Sequence, residues 1–86
     1  MKQFSYIVVD PLGIHARPAG MLAKAAKMYA ETEITITCNG KTAKASQLMK
    51  VMGLGVKQGS LVTVKAEGAN EEAAIAAMDG FFTSNL

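Results

Sequence analysis

The residues most able to do chemistry in this 86-residue chain lie in one run, Gly13-Ile14-His15-Ala16-Arg17-Pro18. His15 is the only histidine, and it falls directly after a turn and directly before a helical pattern. A helix leaves its first backbone N–H groups without internal partners and carries a partial positive charge at that end. Those two properties make an anion site. An anionic group carried on the His15 imidazole, a phosphoryl group above all, would meet the free amides of Ala16 and Arg17. Pro18 removes one donor where its loss costs little and stiffens the first turn. Arg17 adds a permanently charged planar fork that matches phosphate oxygens. Gly13 lets the chain turn sharply enough to present the ring. The attacking atom would be a ring nitrogen with a free lone pair.

Nothing else in the run offers a metal ligand or a base paired with a nucleophile. The chain therefore depends on a partner to position and neutralise a phosphoryl donor, and it is not expected to act as a stand-alone catalyst.

The elements that must position this run are legible from periodicity. Lys2 to Val9 alternates, with Phe4, Tyr6 and Val8 on one side, and predicts a strand. Asp10-Pro11-Leu12-Gly13 carries turn chemistry. From Ala16 to Ala30 the residues Leu22, Ala25, Ala26, Met28 and Tyr29 fall at helical spacing, with Lys24 and Lys27 on the wet side. Glu33 to Cys38 alternates and ends in Asn39-Gly40, the signal of a type I′ hairpin pairing Cys38 with Lys41 and Ile36 with Ala43. Ser46 to Met52 suits a short helix with Ser46 as N-cap and Gly53 and Gly55 at its end. Ser60 to Glu67 is a strand with Val62, Val64 and Ala66 inward. Asn70-Glu71-Glu72 opens a last helix whose buried stripe is Ala74, Ile75, Met78, Phe81 and Phe82. The order is βαββαβα, an α/β (α+β) open-faced sandwich in which helices cover one face of a largely antiparallel sheet.

Composition sets the frame. Half of the residues are apolar and 19% are charged, as in ordinary globular proteins, so residues 1–86 are expected to form a single domain. No apolar run approaches the length of a membrane span, and the first residues lack the pattern of a secretory signal, which points to the cytoplasm. Cys38 is alone, so no internal disulfide or structural zinc site is expected, and it suits a small buried position at a strand end. A net charge of +2 is too small for a nucleic-acid footprint.

The run Gly13 to Pro18 resembles the active-site motif of HPr, the histidine-containing phosphocarrier family of the bacterial phosphoenolpyruvate-dependent sugar phosphotransferase system. The similarity continues in Asn39-Gly40-Lys41, in Leu54-Gly55-Val56-Lys57-Gln58-Gly59 and in Ala66-Glu67-Gly68, and so covers essentially the whole chain. The resemblance implies three helices on a four-stranded antiparallel sheet. It also implies a monomer without cofactor or metal that takes a phosphoryl group from Enzyme I on Nδ1 of His15 and hands it to a sugar-specific IIA domain. By the same resemblance Arg17 contacts the phosphate, the amides of Ala16 and Arg17 cradle it, and Gly20, Met21, Lys24, Leu48, Met49 and Met52 dock partners.

The docking assignment has a counterpart in the residues themselves. Leu48, Met49, Val51 and Met52 are too many apolar side chains for one buried stripe on so short a helix, so some must face solvent as an adaptable contact. Met49 suits core and surface equally, and Met52 suits the surface better.

Two departures from the family pattern stand out. Leu12 occupies a position where many members carry Ser or Asn, which removes a hydrogen bond near the phosphate. Gram-positive members carry a serine at the start of the second helix that an ATP-dependent kinase modifies. Alignment through Asn39-Gly40-Lys41 and Leu54-Gly55 places Gln47 there, one residue after Ser46, so Ser46 reads as a helix cap ahead of a kinase target. Two other readings remain open: a carrier of a nitrogen-related or regulatory phosphotransferase branch, and a module that binds regulatory proteins without passing phosphate on.

Overall fold

The computed structural model describes residues 1–86. The elements run β1 (Lys2–Ile7), α1 (Ala16–Lys27), β2 (Thr32–Cys38), β3 (Lys41–Lys44), α2 (Leu48–Met52), β4 (Leu61–Gly68) and α3 (Glu71–Asn85). The strands form one sheet in the order β1-β4-β2-β3, and every pairing is antiparallel. The expected βαββαβα order and open sheet are therefore the architecture of the chain.

Register explains where the core lies. Phe4 pairs with Val64, Val64 with Ile36 and Ile36 with Ala43, so one row crosses all four strands on the inner face. Ile36 and Val64 in that row are fully buried, and Leu22 of α1, Val51 of α2, and Ala74, Met78 and Phe82 of α3 close over the same core. Phe82 meets Phe4 and Tyr6 edge to face, with ring centroids 5.8 and 5.7 Å apart. Burial of such a ring contributes about 1.5–3 kcal/mol, and each aromatic pair adds roughly 0.5–1.5 kcal/mol. The other sheet face is mostly polar, with hydroxyl contacts between Ser5 and Thr63 and between Thr37 and Thr42, apart from the exposed cross-strand pair Ile7 and Leu61 at one end. The Asn39-Gly40 turn has the positive φ values of type I′, 55° and 77°, and Cys38 is buried beside it.

The structure differs from the periodicity at four places. Helix α1 stops at Lys27, because the Met28 and Tyr29 N–H groups bond to the carbonyls of Ala25 and Ala26, three residues back. That tightened turn rotates Met28 outward, where it is 81% exposed instead of lying in the apolar stripe. Strand β1 ends at Ile7, although the Val8 N–H still donates to the Ser60 carbonyl.

Helix α2 begins at Leu48 with Gln47 at its N-cap, so the expectation that Ser46 caps it is wrong. The Gln47 N–H donates to the Lys44 carbonyl at 3.0 Å, closing a turn over Ala45 and Ser46 that delays the helix. Ala74, Met78 and Phe82 form the buried stripe of α3, with Ile75 and Phe81 only partly covered.

Candidate functional site

His15 occupies the N-cap of α1 with an extended backbone, φ −109° and ψ −178°. Its carbonyl accepts the Ala19 N–H at 3.0 Å, the first bond of the helix. Its imidazole makes no capping bond, so neither ring nitrogen is committed to the backbone. The N–H groups of Ala16 and Arg17 have no partner within the chain, and the first turn carries no acidic residue to compete for them. An anion beside the imidazole thus finds two open donors and the positive end of the helix.

The approach to His15 is held rigidly. The Gly13 N–H donates to the Asp10 carbonyl at 3.0 Å and the Leu12 N–H to Asp10 Oδ1 at 2.8 Å. Gly13 adopts φ +64°, a conformation that costs other residues steric energy. Ile14 is buried and its N–H donates to the Val56 carbonyl at 3.3 Å. Pro18 is buried beneath the first turn, while His15 is half-buried and Arg17 exposed. Leu12 is exposed at this rim.

A shallow hollow of about 200 Å³ joins Asp10, His15, Arg17, Pro18, Met21 and Asn85. A second, of about 560 Å³, lies between α1 and α2 and brings together Gly20, Lys24, Leu48 and Met49, with Ser46 and Gln47 on its wall. Of the docking candidates, Met21 therefore borders the histidine, four others share the inter-helix hollow, and Met52 borders neither. Met49 is 76% exposed and Met52 37%, so the more accessible methionine is the one that suited core and surface equally. Val51 takes the buried position of α2. Across the chain no three His, Cys, Asp or Glu side chains converge as metal ligands would.

Asp10 and Asn85 are the site neighbours that sequence reading missed. Asp10 reads only as part of a turn. Asn85 lies at the far end of the chain, and only the packing of α3 brings it to His15.

The fold and this helix terminus define a class, a small open-faced sandwich that presents a lone histidine at an anion-binding helix start. Residues 2–84 match the model of a family described as the PTS HPr component phosphorylation site, and the chain belongs to that HPr family. It is 35% identical over 85 residues to the phosphocarrier protein HPr of Mycoplasma genitalium, covering 99% of this chain and 97% of the relative. Among solved structures, a histidine-containing phosphocarrier protein from Mycoplasma superposes with a TM-score of 0.92 at 36% identity, covering 96% of this chain and 93% of the other. The HPr of Bacillus anthracis gives 0.85 at 31% identity, over 94% and 95% of the two chains.

Proposed function

We propose that residues 1–86 act as one phosphocarrier domain that accepts a phosphoryl group from phosphorylated Enzyme I on Nδ1 of His15 and passes it to the IIA domain of a sugar permease. The Nδ1 lone pair attacks phosphorus as the bond to the donor breaks. The Ala16 and Arg17 amides and the Arg17 guanidinium take up charge on the equatorial oxygens. The reverse sequence, with the IIA side chain as nucleophile, discharges the carrier.

The observation that carries this reading is the uncommitted His15 imidazole at a helix terminus whose first two amides lack partners. Exposed Met49 and the lysine-flanked hollow beside it suit an adaptable, acidic partner surface. Such a carrier works in the cytoplasm, where phosphoenolpyruvate is made, and no helix of this chain is long and apolar enough to cross a membrane.

Incubation with Enzyme I and phosphoenolpyruvate tests the reading. The expected product is one phosphate per chain, acid-labile and base-stable, absent from His15→Ala. Labelling that survives this substitution would overturn it.

A further inference from the structure

Between the end of β1 and His15 the chain keeps few bonds to the rest of the molecule. The Val8 N–H donates to the Ser60 carbonyl at 3.0 Å, and the Val8 carbonyl accepts the Gly59 N–H at 2.7 Å. The Val9 carbonyl accepts Nε2 of Gln58 at 3.2 Å. From Asp10 to Ile14, whose N–H reaches the Val56 carbonyl, the turn is bonded to itself: the Leu12 and Gly13 N–H groups donate to Oδ1 and the carbonyl of Asp10. Pro11 has no N–H to give. The turn therefore hangs from Val56 on one side and from Asp10 on the other, and Asp10 is tied to the rest of the molecule through a single atom. The main-chain oxygen of Leu86 accepts the Val9 N–H at 2.6 Å and the Asp10 N–H at 2.8 Å.

That acceptor is itself anchored. Leu86 is the C-cap of α3, its N–H donates to the Phe82 carbonyl at 2.9 Å, and it is 3% exposed within the core cluster. Phe82, one turn earlier, packs on Phe4 and Tyr6 of β1. Asn85, the residue before Leu86, borders the hollow that holds His15 and Arg17. Two consecutive N–H groups aimed at one oxygen define both where the chain lies and how it is rotated. A buried Leu86 gives up that position only by exposing apolar surface.

We propose that Leu86 is a positioning residue for the phosphoryl acceptor: by clamping Val9 and Asp10 it fixes the turn that presents His15 at the open amides of α1, without itself contacting the phosphoryl group. The inference rests on the phosphocarrier reading of His15. Transfer requires an imidazole already aligned with the donor, and misplacement of the acceptor is costly to such a step. None of the residues lining the hollow between α1 and α2 belongs to this clamp. Loosening the clamp therefore slows the step within the complex and leaves formation of the complex alone.

The test compares wild type with three chains. Leu86→Ala removes the side-chain anchor, and Leu86→Met refills it. A synthetic chain with an ester in place of the Val8–Val9 amide removes the Val9 N–H and leaves every side chain as it is, which keeps the test open should Leu86→Ala fold poorly. Urea melts first establish conditions in which each chain is folded. Acceptance from phosphorylated Enzyme I is then measured over a range of Enzyme I concentrations, and amide exchange is followed by NMR before phosphorylation. The kcat of acceptance is expected to fall about tenfold in Leu86→Ala and in the ester chain, with KM unchanged, and to recover in Leu86→Met. Exchange of the Asp10 amide is expected to quicken by about tenfold in the same two chains, more than that of the β4 amides.

A folded ester chain that accepts phosphate at the wild-type kcat would overturn the proposal. A rise in KM alone would do so too, because it would assign Leu86 to docking, as would a loss of kcat without faster exchange at Asp10. A wild-type chain that takes no phosphoryl group would instead remove the carrier reading, and this inference with it.

Discussion

Gly13 lies against the backbone of Val56 so closely that a Cβ on Gly13 would overlap the Val56 carbonyl oxygen. That same oxygen accepts the Ile14 N–H. One contact therefore presses the turn before His15 onto the segment that leads into β4, and the direction of the imidazole is set by a neighbour more than forty residues away in sequence. Loop positioning of a reactive group by a rigid scaffold is a general device. Here the scaffold contact is backbone on backbone.

Gly13→Ala consequently adds a backbone clash to a φ of +64°. The substitution is expected to cost at least about 2 kcal/mol in urea denaturation, and to slow phosphoryl acceptance in the fraction that folds. An unchanged midpoint would show that the loop can lift off Val56 freely.

Arg17 is exposed and pairs with no carboxylate in this structure. Arg17→Ala should leave the denaturation midpoint in place, because surface changes of this kind stay within about 0.5 kcal/mol. Loss of charge-assisted bonds to the phosphoryl group should lower the rate of transfer by roughly 10- to 100-fold. Arg17→Lys should restore charge but not the fork, and so recover only part of the rate. Rapid-quench transfer assays and thermal melts on the same samples separate the two effects.

Met49 and Val51 are two residues apart on α2 and face opposite ways, one 76% exposed and the other fully buried. Met49→Ala should weaken binding of Enzyme I with little change in stability. Val51→Ala should destabilise the fold by about 2 kcal/mol, through lost burial and the cavity left behind, with binding of the folded fraction intact. Calorimetric titration against Enzyme I alongside urea melts checks both. A Met49→Ala variant that binds normally would place the docking face elsewhere.

The Glu71 carboxyl is held below its ordinary value of 4.5, chiefly by the hydrogen bond from the Met1 ammonium, with burial opposing and the Met1 and Lys2 charges assisting. The ammonium lies 2.6 Å from Oε2. A carboxyl whose value is lower folded than unfolded stabilises the fold above the unfolded value, and that contribution disappears as pH falls through the folded one. Wild type should therefore exceed Glu71→Gln in stability near neutral pH, and the difference should shrink below about pH 4.5. A gap that stays constant down to pH 3 would show that the ion pair does not contribute through charge.

Motif, hairpin and helix order were legible because each rests on local chemistry. Asn39-Gly40 specifies its turn by the backbone angles those two residues tolerate, and Val62, Val64 and Ala66 declare an inner face by alternation alone. Helix ends were less legible. Ser46 looked like a cap, but the bond from the Gln47 N–H to the Lys44 carbonyl decided the start of α2. Met28 fitted the apolar spacing of α1, and the tightened last turn put it in water. In both cases a competing backbone hydrogen bond, invisible to side-chain pattern, prevailed.

The sequence by itself determined that a lone histidine precedes a helix start with open amides and an arginine, and that the chain alternates strands and helices in the order βαββαβα. Those properties depend on residues within a few positions of one another. Only the tertiary structure decided that β4 lies between β1 and β2, that α2 turns Met49 outward, and that Asp10 and Asn85 border the His15 hollow. Each of these follows from contacts between segments far apart in the chain, which form only when burial of the shared core outweighs the entropy of bringing them together.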